Sequence, residues 1–389
     1  MLRLMLVGAL ALSPLSASAQ DWTTSWATSP MAMEADDALP AGEGPVTVEQ
    51  AVRLSVGGDR LRIRLTNRDG TAPLAIREVA IARGARDGAA VPVTFGGRPV
   101  VAIPAGAEYV SDAVALTLGE RDDVRIRMTF DRPARGTGHP GARATTRVAF
   151  GDAAPVEVPR WFHIAAIDVA GPADGTVAIL GDSITDGYGV KLDSNGRWTD
   201  YLAQRLDALP GPMRIGVANL GIGGNRLLND GLGPNALARI DRELWSLENV
   251  RSLIVLIGVN DLGTLTRAAP ADQAAHDALV AAMLDGYRQI ARRARDAGIR
   301  VIGATILPYA GSDYYHPDAQ NEADRQKVNA FIRAPGNFDA VIDLDQAMRD
   351  PERPRYLRRD LDSGDGLHPS DAGYRAMAQA VPLDLLAGN

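Results

Sequence analysis

The sequence predicts an α/β fold preceded by an all-β domain, because the pattern of apolar residues changes once along its 389 residues. From about residue 22 to 169, apolar and polar residues alternate in short runs, which is typical of half-buried antiparallel strands. After the turn-forming residues 171–175, short apolar runs alternate with longer helical patterns, which favours a parallel sheet. We therefore expect a jelly-roll-like β-sandwich over residues 20–172 and a flavodoxin-like domain with a five-stranded parallel sheet over residues 173–389.

The first 19 residues have the pattern of a secretory signal peptide. Arg3 precedes the apolar residues 4–12, and Ala17-Ser18-Ala19 supplies small residues for cleavage. The alternative is a buried N-terminal helix. No later run approaches the ~20 apolar residues that a membrane-spanning helix needs. A secreted or periplasmic location is expected.

Composition narrows the possible partners. The net charge is -7 and 23% of residues are charged, with no basic stripe for neutralising phosphates, so nucleic acid is not an expected partner. The chain has no cysteine, which excludes disulfides, a thiol nucleophile and cysteine-ligated metal sites.

Period-two runs define the all-β domain. The clearest are residues 51–56, 60–65, 75–81 and 123–128. Gly57-Gly58-Asp59 predicts a hairpin turn between the first two. Arginines at alternate positions indicate a solvated face, and the alternative is a binding face for an acidic polymer.

The second domain follows a βα pattern. We expect buried strands over residues 177–180, 215–218, 253–257, 301–306 and 340–343, and helices near 198–206, 236–244, 274–297, 322–332 and 371–386. Right-handed crossovers favour the strand order 2-1-3-4-5. Ligand sites of such sheets lie beyond the carboxyl ends of the strands.

Four short blocks carry the chemistry: residues 181–184, 219–224, 258–261 and 365–368. In the first, Ser183 follows a predicted strand, where its hydroxyl could act as a nucleophile, although a serine there is more often a helix cap or turn residue. Thr185 stands where a Gly-x-Ser-x-Gly elbow would need glycine, so an α/β-hydrolase elbow is disfavoured.

A serine nucleophile needs a base, and the chain has five histidines. His368 has Asp365 three residues before it, in position to orient the imidazole. His316 is the rival base, because Asp313 also precedes it by three residues. Asp362 is the substitute for Asp365. Spacing alone leaves these alternatives open.

Three donors could stabilise the oxyanion formed by attack on an ester carbonyl: the Ser183 N–H, the Gly224 N–H and the Asn260 amide. Asp261 is expected to orient Asn260. The glycine cluster could instead bind phosphate, but it lacks the P-loop lysine and the dinucleotide spacing. No paired-histidine motif predicts a metal, and no cofactor is implied.

The ordered blocks resemble those of the SGNH, or GDSL-type, hydrolases, whose Ser, Gly, Asn and His fall on Ser183, Gly224, Asn260 and His368. The resemblance covers roughly the second half of the chain. It implies a serine esterase and favours His368 over His316. Ile184 stands where the family name has Leu, a change with no expected chemical consequence.

Residues 225–228, 230–231 and 373–374, with the preceding β domain, are similar to the arylesterase and acylhydrolase group found beside xylan-degrading enzymes. This resemblance implies hydrolysis of small acyl esters, chiefly O-acetyl groups on plant polysaccharide.

A polar and aromatic cleft for the substrate is predicted from four residues, although such tyrosines more often pack within loops. They are Asn225, Arg226, Tyr314 and Tyr315. The alternatives are an aryl, short-chain or lysophospholipase-like esterase, a sugar O-acyltransferase, and a non-catalytic carbohydrate-binding protein.

Overall fold

The computed structural model describes residues 22–85, 88–131, 136–211 and 213–386. The predicted signal peptide, residues 1–19, lies outside the described residues. We call residues 22–170 the β region and residues 175–386 the α/β region. The strands of the β region are β1 (Trp22–Ala27), β2 (Met31–Ala32), β3 (Val46–Arg53), β4 (Gly58–Thr66), β5 (Leu74–Arg83), β6 (Val91–Pro92), β7 (Val101–Ile103), β8 (Glu108–Val110), β9 (Val114–Leu118), β10 (Asp123–Phe130), β11 (Thr137–His139), β12 (Thr146–Phe150), β13 (Val156–Val158), β14 (Trp161–Phe162) and β15 (Ile164–Ala170).

The β region is an antiparallel sandwich, as predicted. Among the described residues, one sheet has the order β13-β12-β3-β10-β5-β6, with β7 beside β5, and the other has β1-β15-β4-β8, with β9 beside β4. A small third sheet has the order β14-β11-β2. Alternate residues of β3 and β10 are buried and form the core with β4. Burial of these apolar faces against each other stabilises the sandwich.

The predicted hairpin at residues 57–59 is wrong. β3 pairs with β10 and β12, whereas β4 pairs with β15, β8 and β9, so the two strands belong to different sheets. The turn carries the chain across the sandwich. A Cβ on Gly57 would lie 2.2 Å from the Leu118 carbonyl oxygen, so this crossing requires glycine.

The α/β region contains a parallel sheet whose order among the described residues, β17-β16-β18-β19-β20, is the predicted 2-1-3-4-5. The predicted last helix is shorter than expected, because Val381 precedes Pro382 and adopts extended backbone. The elements are β16 (Gly175–Gly181), α1 (Ser183–Asp186), α2 (Trp198–Asp207), β17 (Ile215–Gly221), α3 (Ala236–Trp245), β18 (Val250–Leu256), α4 (Val259–Thr266), α5 (Gln273–Asp296), β19 (Arg300–Ala304), α6 (Ala319–Arg333), β20 (Ala340–Ile342), α7 (Leu344–Met348), α8 (Asp371–Ala380) and a 3₁₀ turn (Leu383–Leu385).

The β region packs against β17, the edge strand of the parallel sheet. The Val217 N–H donates to Ser55 Oγ at 2.8 Å. A Cβ on Gly216 would lie 2.1 Å from the Thr24 carbonyl oxygen, so the two backbones touch there. This contact covers an edge that would otherwise present unpaired backbone groups. Within the described ranges, the structure has no helix long and apolar enough to cross a membrane.

Candidate active site

The turn between β16 and α1 presents Ser183 at the carboxyl end of its strand. Asp182 caps α1, and its carboxylate accepts a hydrogen bond from the Ile184 N–H at 3.0 Å. Gly181 has to be glycine because a Cβ would lie 2.2 Å from Thr185 Oγ1. Burial raises the pKa of Asp182 to about 7. Ser183 is therefore the first residue of a short, closely packed helical turn.

His368 contacts both Ser183 and Asp365. The Ser183 Oγ to His368 Nε2 distance is 2.9 Å, and His368 Nδ1 lies 2.6 Å from Asp365 Oδ2. Asp365 Oδ1 also accepts hydrogen bonds from the N–H groups of Leu367 and His368, at 3.0 and 2.8 Å. This geometry allows the imidazole to take the serine proton while Asp365 holds its other nitrogen.

The pKa of Asp365 is below its usual value. Partial burial raises this pKa, but the hydrogen bonds from the His368 ring and from the N–H groups of His368 and Leu367 outweigh burial. Asp365 therefore remains a carboxylate at neutral pH.

The alternatives to this histidine and carboxylate lie elsewhere. His316 is exposed, and its backbone N–H donates to the Ser312 carbonyl. Asp362 Oδ1 accepts hydrogen bonds from the N–H groups of Gly364 and Gly366, at 2.9 and 3.1 Å, and shapes the turn before His368. The structure brings His368 and Asp365, rather than these residues, to Ser183.

The three predicted oxyanion donors are the N–H groups of Ser183 and Gly224 and the Asn260 amide. Gly224 has φ 69°, and a Cβ there would lie 2.6 Å from Leu232 Cδ1. Asn260 lies in the first turn of α4, and its Nδ2 donates to the Asn225 carbonyl at 2.7 Å. An amide group has a second N–H, so Asn260 can also donate to a substrate oxygen.

Asp261 does not orient Asn260, contrary to the prediction. Tyr315 does so, because its hydroxyl donates to Asn260 Oδ1 at 2.6 Å. Asp261 instead accepts hydrogen bonds from the N–H groups of Leu227 and Leu228, at 2.7 and 3.0 Å. Burial raises the pKa of Asp261 to about 6 even though these two bonds lower it.

Two of the predicted substrate-binding residues are buried and bonded within the protein. Asn225 is buried, and its amide donates to the carbonyls of residues 232 and 234. Tyr315 is 3% exposed and bonded to Asn260, so it supports the amide and does not line a cleft. Arg226 is half-buried and Tyr314 is 58% exposed, and for both substrate contact stays a prediction.

The sequence patterns did not indicate several residues that lie around Ser183. His139 of the β region lies 2.8 Å from Asp186 Oδ1, at the end of α1. The Tyr188 ring lies 4.1 Å from the His368 ring. Buried Arg239 donates to the Gly181 carbonyl at 3.0 Å and to Ser29 Oγ at 2.9 Å. Of these residues, only Tyr188 could have been noticed in the sequence, because it is an aromatic residue four positions after the Ser183 block.

A parallel sheet with a serine, histidine and carboxylate at its carboxyl edge defines the hydrolase class of this α/β region. The chain belongs to the GDSL-like lipase/acylhydrolase family, whose model matches residues 179–376. It is therefore a carboxylic ester hydrolase. No curated protein matches the sequence.

Solved structures related to the chain are distant. An acetyl xylan esterase, AlAXEase, is 21% identical with a TM-score of 0.40, over 53% of this chain and 96% of that chain. A GDSL-like lipase from Bacteroides thetaiotaomicron is 21% identical with a TM-score of 0.40, over 54% of this chain and 87% of that one.

Proposed function

We propose that the protein is an exported serine esterase that removes small acyl groups, chiefly acetyl, from plant polysaccharide through an acyl-enzyme. The observation that supports this proposal best is the hydrogen-bonded line from Ser183 Oγ through the His368 ring to Asp365, with distances of 2.9 and 2.6 Å. Membership of the GDSL-like family supports ester hydrolysis, and the matched range includes all three residues.

In the acylation step, Ser183 Oγ attacks the ester carbonyl and its proton moves to His368 Nε2. Asp365 stabilises the imidazolium that forms. The negative charge on the carbonyl oxygen is held by the N–H groups of Ser183 and Gly224 and by the Asn260 amide. The ester C–O bond then breaks, and the departing alcohol takes the proton from His368.

In the deacylation step, water takes the place of the alcohol. His368 removes a proton from water as it attacks the acyl carbon, and the oxyanion occupies the same donors. The bond from the acyl carbon to Ser183 Oγ breaks, and His368 returns the proton to the serine. The acid leaves, and each group regains its starting protonation state.

The substrate part of the proposal is supported by the resemblance of residues 225–228 and 373–374 to the xylan-associated acylhydrolases. It is also supported by the surface near the site, where Tyr188 is 48% exposed and its ring lies 4.1 Å from that of His368. Exposed aromatic rings with polar neighbours suit the alternating apolar and hydroxyl faces of sugars.

The test is acetate release from p-nitrophenyl acetate by Ser183→Ala. We expect a rate at least about 10³-fold below that of the wild type, because the nucleophile is lost. Ser246→Ala is the control, because the Ser246 hydroxyl only bonds to the Glu243 carbonyl at the end of α3. Comparable rates for Ser183→Ala and the wild type would contradict the proposal.

A substrate panel tests the acyl and alcohol preferences. Acetylated xylan, aryl acetates, longer acyl esters and a lysophospholipid would be compared by kcat/KM. The proposal expects acetyl esters to be preferred over long acyl chains. Preference for the lysophospholipid would favour the lipase-like alternative, and acetylated oligosaccharide formed from a sugar acceptor would favour the transferase.

Export is tested by the N-terminus of the mature protein. Cleavage after Ala19 would leave Gln20 as the first residue. N-terminal sequencing of protein from the medium or periplasm should find Gln20. Retention in the cell of a chain that begins at Met1 would contradict export.

A further inference from the structure

A segment of the β region reaches the edge of the candidate active site. The Asp193 carboxylate, from the loop after α1, accepts hydrogen bonds from the Thr145 N–H and hydroxyl at 2.6 and 2.7 Å. The Asp193 N–H donates to the Arg143 carbonyl at 3.0 Å, and the Arg197 guanidinium donates to the Ala142 carbonyl. Residues 142–145 are therefore held firmly against the α/β region.

Within this segment, Arg143 places its guanidinium over Tyr188, whose ring packs on that of His368. Its guanidinium carbon lies 5.5 Å from the centroid of the Tyr188 ring, and the centroid of that ring lies 4.1 Å from that of His368. Together these two distances place the guanidinium carbon within about 10 Å of the imidazole centroid. The Tyr374 hydroxyl donates to the Tyr188 carbonyl at 2.7 Å and fixes the position of Tyr188.

Arg143 differs from the two most deeply buried arginines in its lack of a carboxylate partner; Arg64 and Arg68 also have a buried Nε without an acceptor, but each lies within 4 Å of a carboxylate. Arg239 and Arg325 are buried and bonded to carboxylates and carbonyls. Arg143 forms no ion pair with any carboxylate of the described residues, and its buried Nε has no hydrogen-bond acceptor there. A buried donor without an acceptor destabilises a protein, and so it calls for an explanation.

The backbone of Arg143 is also unfavourable. Its φ is 49°, in the left-handed region that residues with a Cβ rarely adopt. Such conformations persist where the surrounding structure enforces them, and they cluster at functional sites. Both observations are explained if the guanidinium is positioned here to bind a group of the substrate.

We propose that Arg143 is a specificity-determining residue that binds a carboxylate on the alcohol part of the ester. A planar guanidinium binds a carboxylate through two parallel hydrogen bonds. The proposed acyl group is small and carries no charge, so the anionic group belongs to the alcohol. The preferred substrates are acetyl esters of acidic alcohols, including sugar chains that contain uronic acid units. This inference rests on the proposed serine esterase function.

The test compares two aryl acetates that differ only in charge, 4-acetoxybenzoate and 4-acetoxybenzamide. The measured quantity is the ratio of their kcat/KM values. We expect Arg143→Gln to lower this ratio about tenfold relative to the wild type, mainly through KM of the anionic ester. Raising the salt concentration should lower the ratio in the wild type and leave it unchanged in the variant.

Two further variants complete the experiment. Arg77→Gln is the matched control, because Arg77 is an exposed arginine of the β region paired with Asp131, and it should keep the wild-type ratio. Arg143→Lys retains the charge without the planar fork and should give an intermediate ratio. If Arg143→Gln does not fold, two other measurements test the proposal: the kcat/KM ratio of Arg143→Lys and the salt dependence of that ratio in the wild type.

The outcomes separate this inference from the proposed function. An unchanged ratio in Arg143→Gln, with Ser183→Ala inactive on both esters, would overturn the assignment of Arg143 and leave the serine esterase intact. Activity of Ser183→Ala on both esters at the wild-type rate would instead contradict the proposed function.

Discussion

Replacing Asp365 by asparagine changes one atom of the site and is expected to remove most of the activity. The Oδ1 atom of Asp365 accepts the N–H groups of Leu367 and His368 at 3.0 and 2.8 Å, whereas Oδ2 faces His368 Nδ1 at 2.6 Å. An asparagine keeps its oxygen toward the two backbone donors. Its NH₂ group then faces Nδ1 and donates to it, which moves the imidazole proton to Nε2.

The size of the effect follows from these contacts. Turning the amide to restore the wild-type tautomer would lose two hydrogen bonds, about 2–3 kcal/mol, so roughly 1% of molecules would hold the useful form. These molecules also lack the carboxylate that stabilises the imidazolium. Losing that stabilisation costs about 1.5–3 kcal/mol, which lowers kcat roughly 10- to 100-fold. The product is a loss of about 10³–10⁴ in kcat for Asp365→Asn.

The assay is hydrolysis of p-nitrophenyl acetate at pH 7–8, with a thermal melt to show that the variant is folded. Asp362→Asn is the matched control, because an asparagine oxygen can still accept from Gly364 and Gly366, and we expect a rate within about threefold of the wild type. The double variant Ser183→Ala, Asp365→Asn should be no slower than Ser183→Ala alone. An Asp365→Asn rate within tenfold of the wild type would refute the tautomer argument.

Two further predictions concern the oxyanion site and the serine turn. Gly224→Ala should lower kcat for p-nitrophenyl acetate about 10- to 100-fold, because φ is 69° and the new Cβ would lie 2.6 Å from Leu232 Cδ1. Adding Leu232→Ala would relieve the contact but not the backbone strain. Full recovery of kcat in the double variant would therefore contradict the prediction. Burial raises the pKa of Asp182 to about 7, so folding favours its protonated form. The contribution of protonated Asp182 to the free energy of unfolding is fully present below about pH 4. It is lost as the pH rises toward 7. Asp182→Asn should therefore gain stability relative to the wild type between pH 4 and 7, by at most about 4 kcal/mol; urea midpoints with a constant difference across this range would count against it.

The α/β region was predictable because its pattern is local. Strands buried on both faces appear as short apolar runs, and the spacing of helices between them restricts the topology to a few orders. The blocks that follow β16, β17 and β18 meet at one edge for the same reason. The short helix α4 was not predicted, and Asn260 lies in its first turn.

The errors concern contacts between distant segments. Residues 57–59 have the composition of a hairpin turn, but composition does not indicate which sheet the next strand joins. Asn225 and Tyr315 are polar loop residues, and a sequence does not show whether such side chains face solvent or bond to another loop. Asp261 follows Asn260 directly, yet successive helical residues point in different directions.

Residues of the β region contact the short helix that begins at Ser183 and the strand before it. His139 Nδ1 lies 3.0 Å from the Ser29 carbonyl and its Nε2 lies 2.8 Å from Asp186, one turn after Ser183. Arg239 joins Ser29 Oγ to the Gly181 carbonyl, directly before this turn. The family model begins at residue 179, so Ser29 and His139 lie outside the part of the chain that it matches, whereas Gly181, Asp186 and Arg239 lie within it. The serine turn is thus held in part by residues that precede the matched part of the chain, whereas Ser183, Asp365 and His368 all lie within that part.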